Sequence, residues 1–303
     1  MKHSLIILIA VAVSGCATFS APTAPSAVDG APLARLAGEY DNHAQVWRAH
    51  QDNAASVPPH VHHLVVAVPG VADAWDWTLR AERDGASTLE ATWRYTARRL
   101  DDGRLMLTPQ RSLPSDAGEP RYAALAPCAL VGGMDGAALV LAADVAACSA
   151  ILPGLGADAA LLPLRLRLDG DRLDVAGFID QPRGESAVEQ AERVRWFGGW
   201  SAINGAGPDA RADSSDWHLK QELRVHDQGG EITIPWRDGA PSGYSIKLEQ
   251  LDYRERATRV LKLSIVREDG GVVAYAWADP RASQVGINLG WLQVGLQAED
   301  GTR

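Results

Sequence analysis

The chain is poor in the residues that most often announce chemistry. Its 303 residues include three cysteines, three methionines and three phenylalanines. No Cys-x-x-Cys spacing occurs and no histidine stands near Cys128 or Cys148, which argues against a zinc or dithiol site there. The nucleophile elbow Gly-x-Ser-x-Gly is missing, and with it the plainest signature of a serine hydrolase. Gly154-Leu155-Gly156 lacks the third glycine and the strand-to-helix setting of a dinucleotide fingerprint. Basic residues are outnumbered, 29 against 38 acidic, for a net charge of −9. That balance excludes nucleic acid and anionic lipid as partners held by bulk electrostatics. Long amphipathic helical periodicity is scarce, and no apolar run reaches the roughly 20 residues of a membrane-spanning helix.

What is present begins at the N-terminus. Lys2 supplies a positive start, residues 5–13 are apolar, and Val13-Ser14-Gly15-Cys16 follows. A charged n-region, a short h-region and small residues before a cleavage point describe a secretory signal. With cysteine directly after the small pair, the segment resembles a bacterial lipoprotein signal with its lipobox. The resemblance implies removal of residues 1–15, acylation of Cys16 and a membrane partner reached through that anchor. Ala17 rather than aspartate after the cysteine implies the outer membrane, on its periplasmic face. Residues 16–32 are rich in alanine, proline, serine and threonine and read as a disordered tether. With Cys16 lipidated, the oxidising compartment makes a disulfide between Cys128 and Cys148 the expected state, two buried thiols being the alternative.

From residue 33 the pattern is mostly that of strands. Residues 62–68, 75–82, 89–100 and 104–108 are β-branched or alternating, as are 161–169, 172–178, 217–226 and 231–236. The series continues through 244–251, 259–267, 272–278 and 286–296. Asp84-Gly85, Asp102-Gly103, Asp169-Gly170 and Gly229-Gly230 supply the turns. Short strands at this spacing predict an all-β chain, an antiparallel barrel or sandwich. Residues 153–160 read as a loop and 185–195 as a possible short helix. The Gly-, Ala- and Asp-rich stretch near 196–215 predicts a boundary between a barrel over 33–198 and a further β-rich region over 199–303.

Gly38-Glu39-Tyr40-Asp41-Asn42-His43-Ala44-Gln45 resembles the opening of the CpeT/CpcT chromophore-lyase family. His62-His63-Leu64-Val65 and the two cysteines twenty residues apart continue that likeness over about residues 33–180. The resemblance implies a lipocalin-like antiparallel barrel whose mouth holds a linear tetrapyrrole for transfer to a cysteine of a light-harvesting protein. The family's chromophore-facing strand reads Pro-Tyr-Arg-x-Arg. Here Arg94-Tyr95-Thr96-Ala97-Arg98-Arg99 supplies Tyr95 and Arg98 but neither the proline nor the first arginine.

The expected ligand site therefore comprises Asn42, Gln45, Tyr95 and Arg98 around one barrel cavity. Amides, a phenol and a guanidinium suit an amphipathic molecule bearing a carboxylate. Strict alternation puts Tyr95 and Arg98 on opposite faces, so convergence needs a bulge or a rim position. His60 and His62 share a strand face, but no carboxylate neighbours them in sequence at ligand spacing, and no metal or other cofactor is expected. Three functions stay open: a barrel binding an amphipathic small molecule, a lyase acting on a bilin-type chromophore, and an assembly lipoprotein whose barrel is filled by its own side chains.

Overall fold

The computed structural model describes residues 31–82, 88–113, 120–176, 188–211, 213–253 and 258–299. Cys16, the signal segment and nearly all of the expected tether lie outside these residues. The chain is all-β, as expected. A helical turn α1 (Ala31–Ala34) precedes β1 (Gly38–Asp41), helix α2 (His43–Gln51), β2 (His60–Ala67) and β3 (Ala74–Glu82). Next come β4 (Leu89–Arg99), β5 (Leu105–Leu113), β6 (Arg121–Ala124), β7 (Leu130–Asp135) and β8 (Ala138–Ala142). After helix α3 (Val145–Ser149) follow β9 (Arg165–Asp169), β10 (Arg172–Ala176) and β11 (Glu189–Arg193).

Ten of these strands close on themselves. Antiparallel pairing runs from β1 through β5, on to β7 through β11, and back from β11 to β1, while β6 lies beside β5. Closure removes the open sheet edges that would otherwise invite aggregation. The inward faces are apolar and large. Trp77 sits opposite Trp93, and Trp75 opposite Tyr95. Trp77, Trp93 and Tyr95 are each no more than 2% exposed. Leucines of β5, β7, β8, β9 and β10 complete this core.

Two sequence expectations change. Residues 153–160 fall within a 3-10 helix spanning Leu152–Leu161 instead of an irregular loop. The segment 185–195 carries strand β11 instead of a helix. Glu189-Gln190-Ala191-Glu192-Arg193 is helix-favouring in composition, but the unpaired edges of β1 and β10 claim its backbone. Tertiary pairing overrides weak intrinsic propensity here.

Cys128 and Cys148 form a disulfide with Cα atoms 4.5 Å apart, both sulfurs in the core. It ties the turn before β7 to α3, whose first turn is capped by Asp144 accepting from the Ala147 amide at 3.1 Å. Its loop of about twenty residues puts the expected loss on Cys128→Ala/Cys148→Ala at about 2–4 kcal/mol. Urea titration of the double variant against wild type measures it. An unchanged midpoint would refute a stabilising bond.

The remaining strands are β12 (Trp196–Asn204), β13 (Trp217–His226), β14 (Gln228–Pro235), β15 (Pro241–Tyr253), β16 (Thr258–Arg267), β17 (Val272–Ala278), β18 (Gln284–Asn288) and β19 (Leu292–Ala298). The run expected as one strand over 286–296 thus turns back on itself. Gly290 takes the positive φ of 84° within that turn. These strands make two four-stranded sheets, ordered β13-β12-β19-β18 and β14-β15-β16-β17. Phe197, Leu223 and Leu292 of one pack with Ile246, Leu248 and Leu263 of the other, giving a β-sandwich. The change from barrel to sandwich sheets falls between Arg193 and Trp196. Arg195 fastens it. Its backbone N and its Nε donate to the fully buried Asp227 at 3.0 and 2.8 Å, and its Nη2 donates to the Pro280 carbonyl at 2.6 Å.

Candidate functional site

The polar side chains concentrate where β1 and β2 pair, because alternation sends successive residues to opposite sides of the barrel wall. Tyr40 is paired with His63 and both point inward; Asp41 is paired with His62 and both point outward. Two separate histidine–carboxylate groups result, one inside the barrel and one against the sandwich.

Inside, His63 is fully buried between Trp77 and Glu189. The Trp77 indole N–H donates to His63 Nδ1 at 3.2 Å. An indole can only donate, so Nδ1 is the unprotonated nitrogen and the ring proton sits on Nε2, facing the Glu189 carboxylate. The chain Trp77–His63–Glu189 thus satisfies three polar groups in an apolar interior. Two others nearby are not satisfied. The Tyr95 hydroxyl and the Trp93 indole N–H are buried with no hydrogen-bond partner among the described residues. Burial alone pushes the Tyr95 phenol far above its ordinary range.

Outside, Asp41 is 1% exposed and collects three donors. His60 Nε2 lies 2.7 Å from one carboxylate oxygen, His62 Nδ1 lies 3.1 Å from the other, and the His43 backbone N–H donates at 2.7 Å where α2 begins. His62 Nε2 reaches Glu39 at 2.9 Å. Glu39 also accepts from the Trp196 indole of the sandwich. Burial would raise the Asp41 carboxyl, but hydrogen bonds from His60 and His62 outweigh it and hold the group far below the usual carboxylate range. Conversely, burial works against the charge on His62, yet Asp41 and Glu39 lift its pKa to about 9. His60 is raised as well, chiefly by its hydrogen bond to Asp41. From the sandwich side His226 packs edge-on against Trp196, ring centroids 5.1 Å apart, and burial lowers its pKa.

Helix α2 extends the seam. His43 Nε2 meets Glu249 at 3.1 Å, and Lys247 lies 2.8 Å from the same oxygen. Those two partners hold the Glu249 carboxyl down at about 2 against the pull of burial. Gly229, with φ of 76° at the bulge that begins β14, comes so close that a Cβ there would stand 2.4 Å from the His43 ring. Only glycine fits both the backbone and the gap. Among the described residues, no group of histidine, cysteine, aspartate or glutamate is arranged to hold a metal ion. The charged groups of the seam are instead satisfied by one another, an arrangement suited to joining two modules rigidly.

The four residues expected around one cavity do not converge. Asn42 and Gln45 do meet, Nδ2 to Oε1 at 3.4 Å, but they spend their amides on backbone. Asn42 donates to the Pro59 carbonyl at 2.9 Å and accepts from the Val61 N–H at 2.7 Å. Gln45 donates to the Val188 carbonyl at 2.9 Å and accepts from the Gln190 N–H at 3.0 Å. Together they hold β2 and β11 against α2, which fixes Glu189 in its inward position. Tyr95 points into the barrel core, whereas Arg98 is exposed on the outer wall beside Met106. The β4–β5 pairing from Arg94 to Arg99 continues without a register shift, so no bulge turns Arg98 inward. The inward groups that the sequence did not single out are Trp77 and Glu189. The Tyr40–His63 register is their signal, but it appears only after β1 is paired with β2.

No protein-family model, no curated protein and no solved structure matches the chain.

Proposed function

We propose that this chain is a lipid-anchored envelope protein whose barrel is a rigid structural module, with recognition carried out on its outer surfaces. The supporting observation is the occupied interior. Trp77, Trp93, Tyr95, His63 and Tyr40 fill the inward face of the described strands and are at most 2% exposed. A barrel of this size can enclose a ligand only where its own side chains leave room. Clefts of about 520 and 430 Å³ lie elsewhere, one on the sandwich and one at the barrel rim near Arg35 and Arg193. The lipobox-like Val13 to Cys16 carries the anchoring part.

The second reading, an amphipathic or bilin-type molecule inside the barrel, has one observation in its favour. The unpartnered Tyr95 hydroxyl and Trp93 indole are the kind of buried donors that an acceptor on a ligand would satisfy. One preparation tests both. Protein isolated from the envelope is expected to show no absorbance beyond its aromatic residues, no stoichiometric co-purified small molecule by native mass spectrometry, and no saturable uptake of biliverdin. A one-to-one ligand or saturable biliverdin binding would overturn the filled-barrel reading in favour of the second. Cys16→Ser is expected to release the chain from the membrane fraction or leave it unprocessed. Unchanged fractionation and mass would overturn the anchor.

A further inference from the structure

The outer face of the β12–β19–β18 sheet differs from the rest of the surface. Alternation and register place three outward residues of each strand in a three-by-three grid. The middle row is Trp200, Gly295 and Gly286, paired across the strands. On one side stand Gly198, Gln297 and Gln284; on the other, Ala202, Gln293 and Asn288. Four amide side chains thus flank a middle row in which the Trp200 indole lies over Gly295 and Gly286 stands beside it. No member of the grid carries a charge, in a chain of which 22% is charged. The residues of the first two rows line the cleft of about 520 Å³.

The indole is held in place. A Cβ on Gly295 would stand 2.8 Å from Trp200 Nε1 and 2.9 Å from Cε2, so the ring lies against the glycine backbone while the residue stays 39% exposed. The pairing of β12 with β13 shifts register between Gly199 and Ser201, and Glu222 on β13 adopts a φ of 61° in the same place. A bulge bearing a non-glycine residue in the left-handed region is a costly feature of the kind concentrated at functional positions. Beyond Gly198, Arg224 and Glu299 pair at 2.8 and 3.0 Å, so the charges at that rim answer each other. The side chains of Gln284 and Gln297 are exposed to solvent on this face.

We propose that the grid formed by Trp200, Gly286, Gly295, Gln284 and Gln297 is a binding site for an uncharged saccharide. Each amide offers both donor and acceptor, matching hydroxyls that also do both. The exposed indole presents an apolar plane for the C–H face of a pyranose ring. Gly295 leaves the space in which the indole lies against the sheet, and Gly286 beside it adds no side chain to block a ring stacked on that indole. A phosphate or carboxylate ligand finds no cation in this lining to receive it. The site is independent of whether the barrel is filled.

Isothermal titration of the purified full chain with chito-oligosaccharides, malto-oligosaccharides and inorganic phosphate tests this. Saturable binding is expected in at least one saccharide arm and none with phosphate; the two saccharide arms distinguish N-acetylated from plain sugars. Trp200→Ala is expected to weaken that binding about ten-fold. The Gln284→Ala/Gln297→Ala double variant, altering only exposed side chains, is expected to weaken it comparably while leaving the thermal midpoint in place. Absence of saturable binding in both saccharide arms, preference for phosphate, or wild-type affinity in the glutamine double variant would overturn the proposal.

Discussion

Asp41→Asn is expected to destabilise the protein by about 3–5 kcal/mol near pH 6, and by distinctly less near pH 10. The carboxylate is buried, joins His60 to His62, and receives the His43 N–H at the start of α2. Asparagine keeps the shape but removes the charge, taking the hydrogen-bonded carboxylate from His60 and leaving His62 with Glu39 alone. The pH dependence follows from the direction of each shift. The Asp41 pKa is depressed in the fold, so its contribution is present above the ordinary carboxylate pKa of about 4 and is lost only in strong acid. The His62 pKa is raised to about 9, so its contribution is complete below the ordinary imidazole pKa of about 6.5 and fades as pH rises through about 9. Asp41 and His62 together therefore contribute most between roughly pH 4 and 6.5, while His226, whose pKa is lowered, opposes them as pH falls below about 6.5. Urea titrations of wild type and variant at pH 6, 8 and 10 give the comparison. A difference that stays constant across that range would show that the histidines are not charged partners of Asp41.

How much of this was legible beforehand depended on what one strand can reveal about its neighbours. The alternating runs and Asp-Gly turns carry the all-β class because period and turn chemistry are local. Cys128 and Cys148 could be paired because the expected lipidation of Cys16 left them as the remaining two cysteines. Strand β11 could not be read, since Glu189-Gln190-Ala191-Glu192-Arg193 becomes a strand only by closing the ring between β10 and β1. The histidine run was visible, but its carboxylate was not. Asp41 stands about twenty positions upstream of His62 and is brought beside it by antiparallel register. Tyr95 and Arg98 show the opposite case. Alternation alone separates them, and the unbroken β4–β5 register keeps them apart, so the family-like pattern was weaker evidence than the strand's own geometry.

The inner histidine group yields the second large effect, and a double-mutant cycle exposes it. Glu189→Leu is expected to cost about 3–5 kcal/mol, because the His63 Nε2 proton then faces an apolar interior with no acceptor. His63→Leu is expected to cost a similar amount, since it strands both the Glu189 carboxylate and the Trp77 indole N–H. The double variant removes both members of the strongest contact and leaves only the indole unpartnered. Its loss is therefore expected to fall short of the sum of the single losses by about 1–3 kcal/mol. Urea unfolding of the four proteins at one pH measures the cycle. Agreement of the double variant with that sum to within about 0.5 kcal/mol would mean that His63 and Glu189 stabilise the barrel separately. A large coupling would mean that the register of β1 against β2 and β11 is specified from the inside by one histidine. An Asn42→Ala variant would then be expected to lower stability without altering that coupling, because Asn42 fixes the backbone of β2 from outside while the histidine pair reads the register from within.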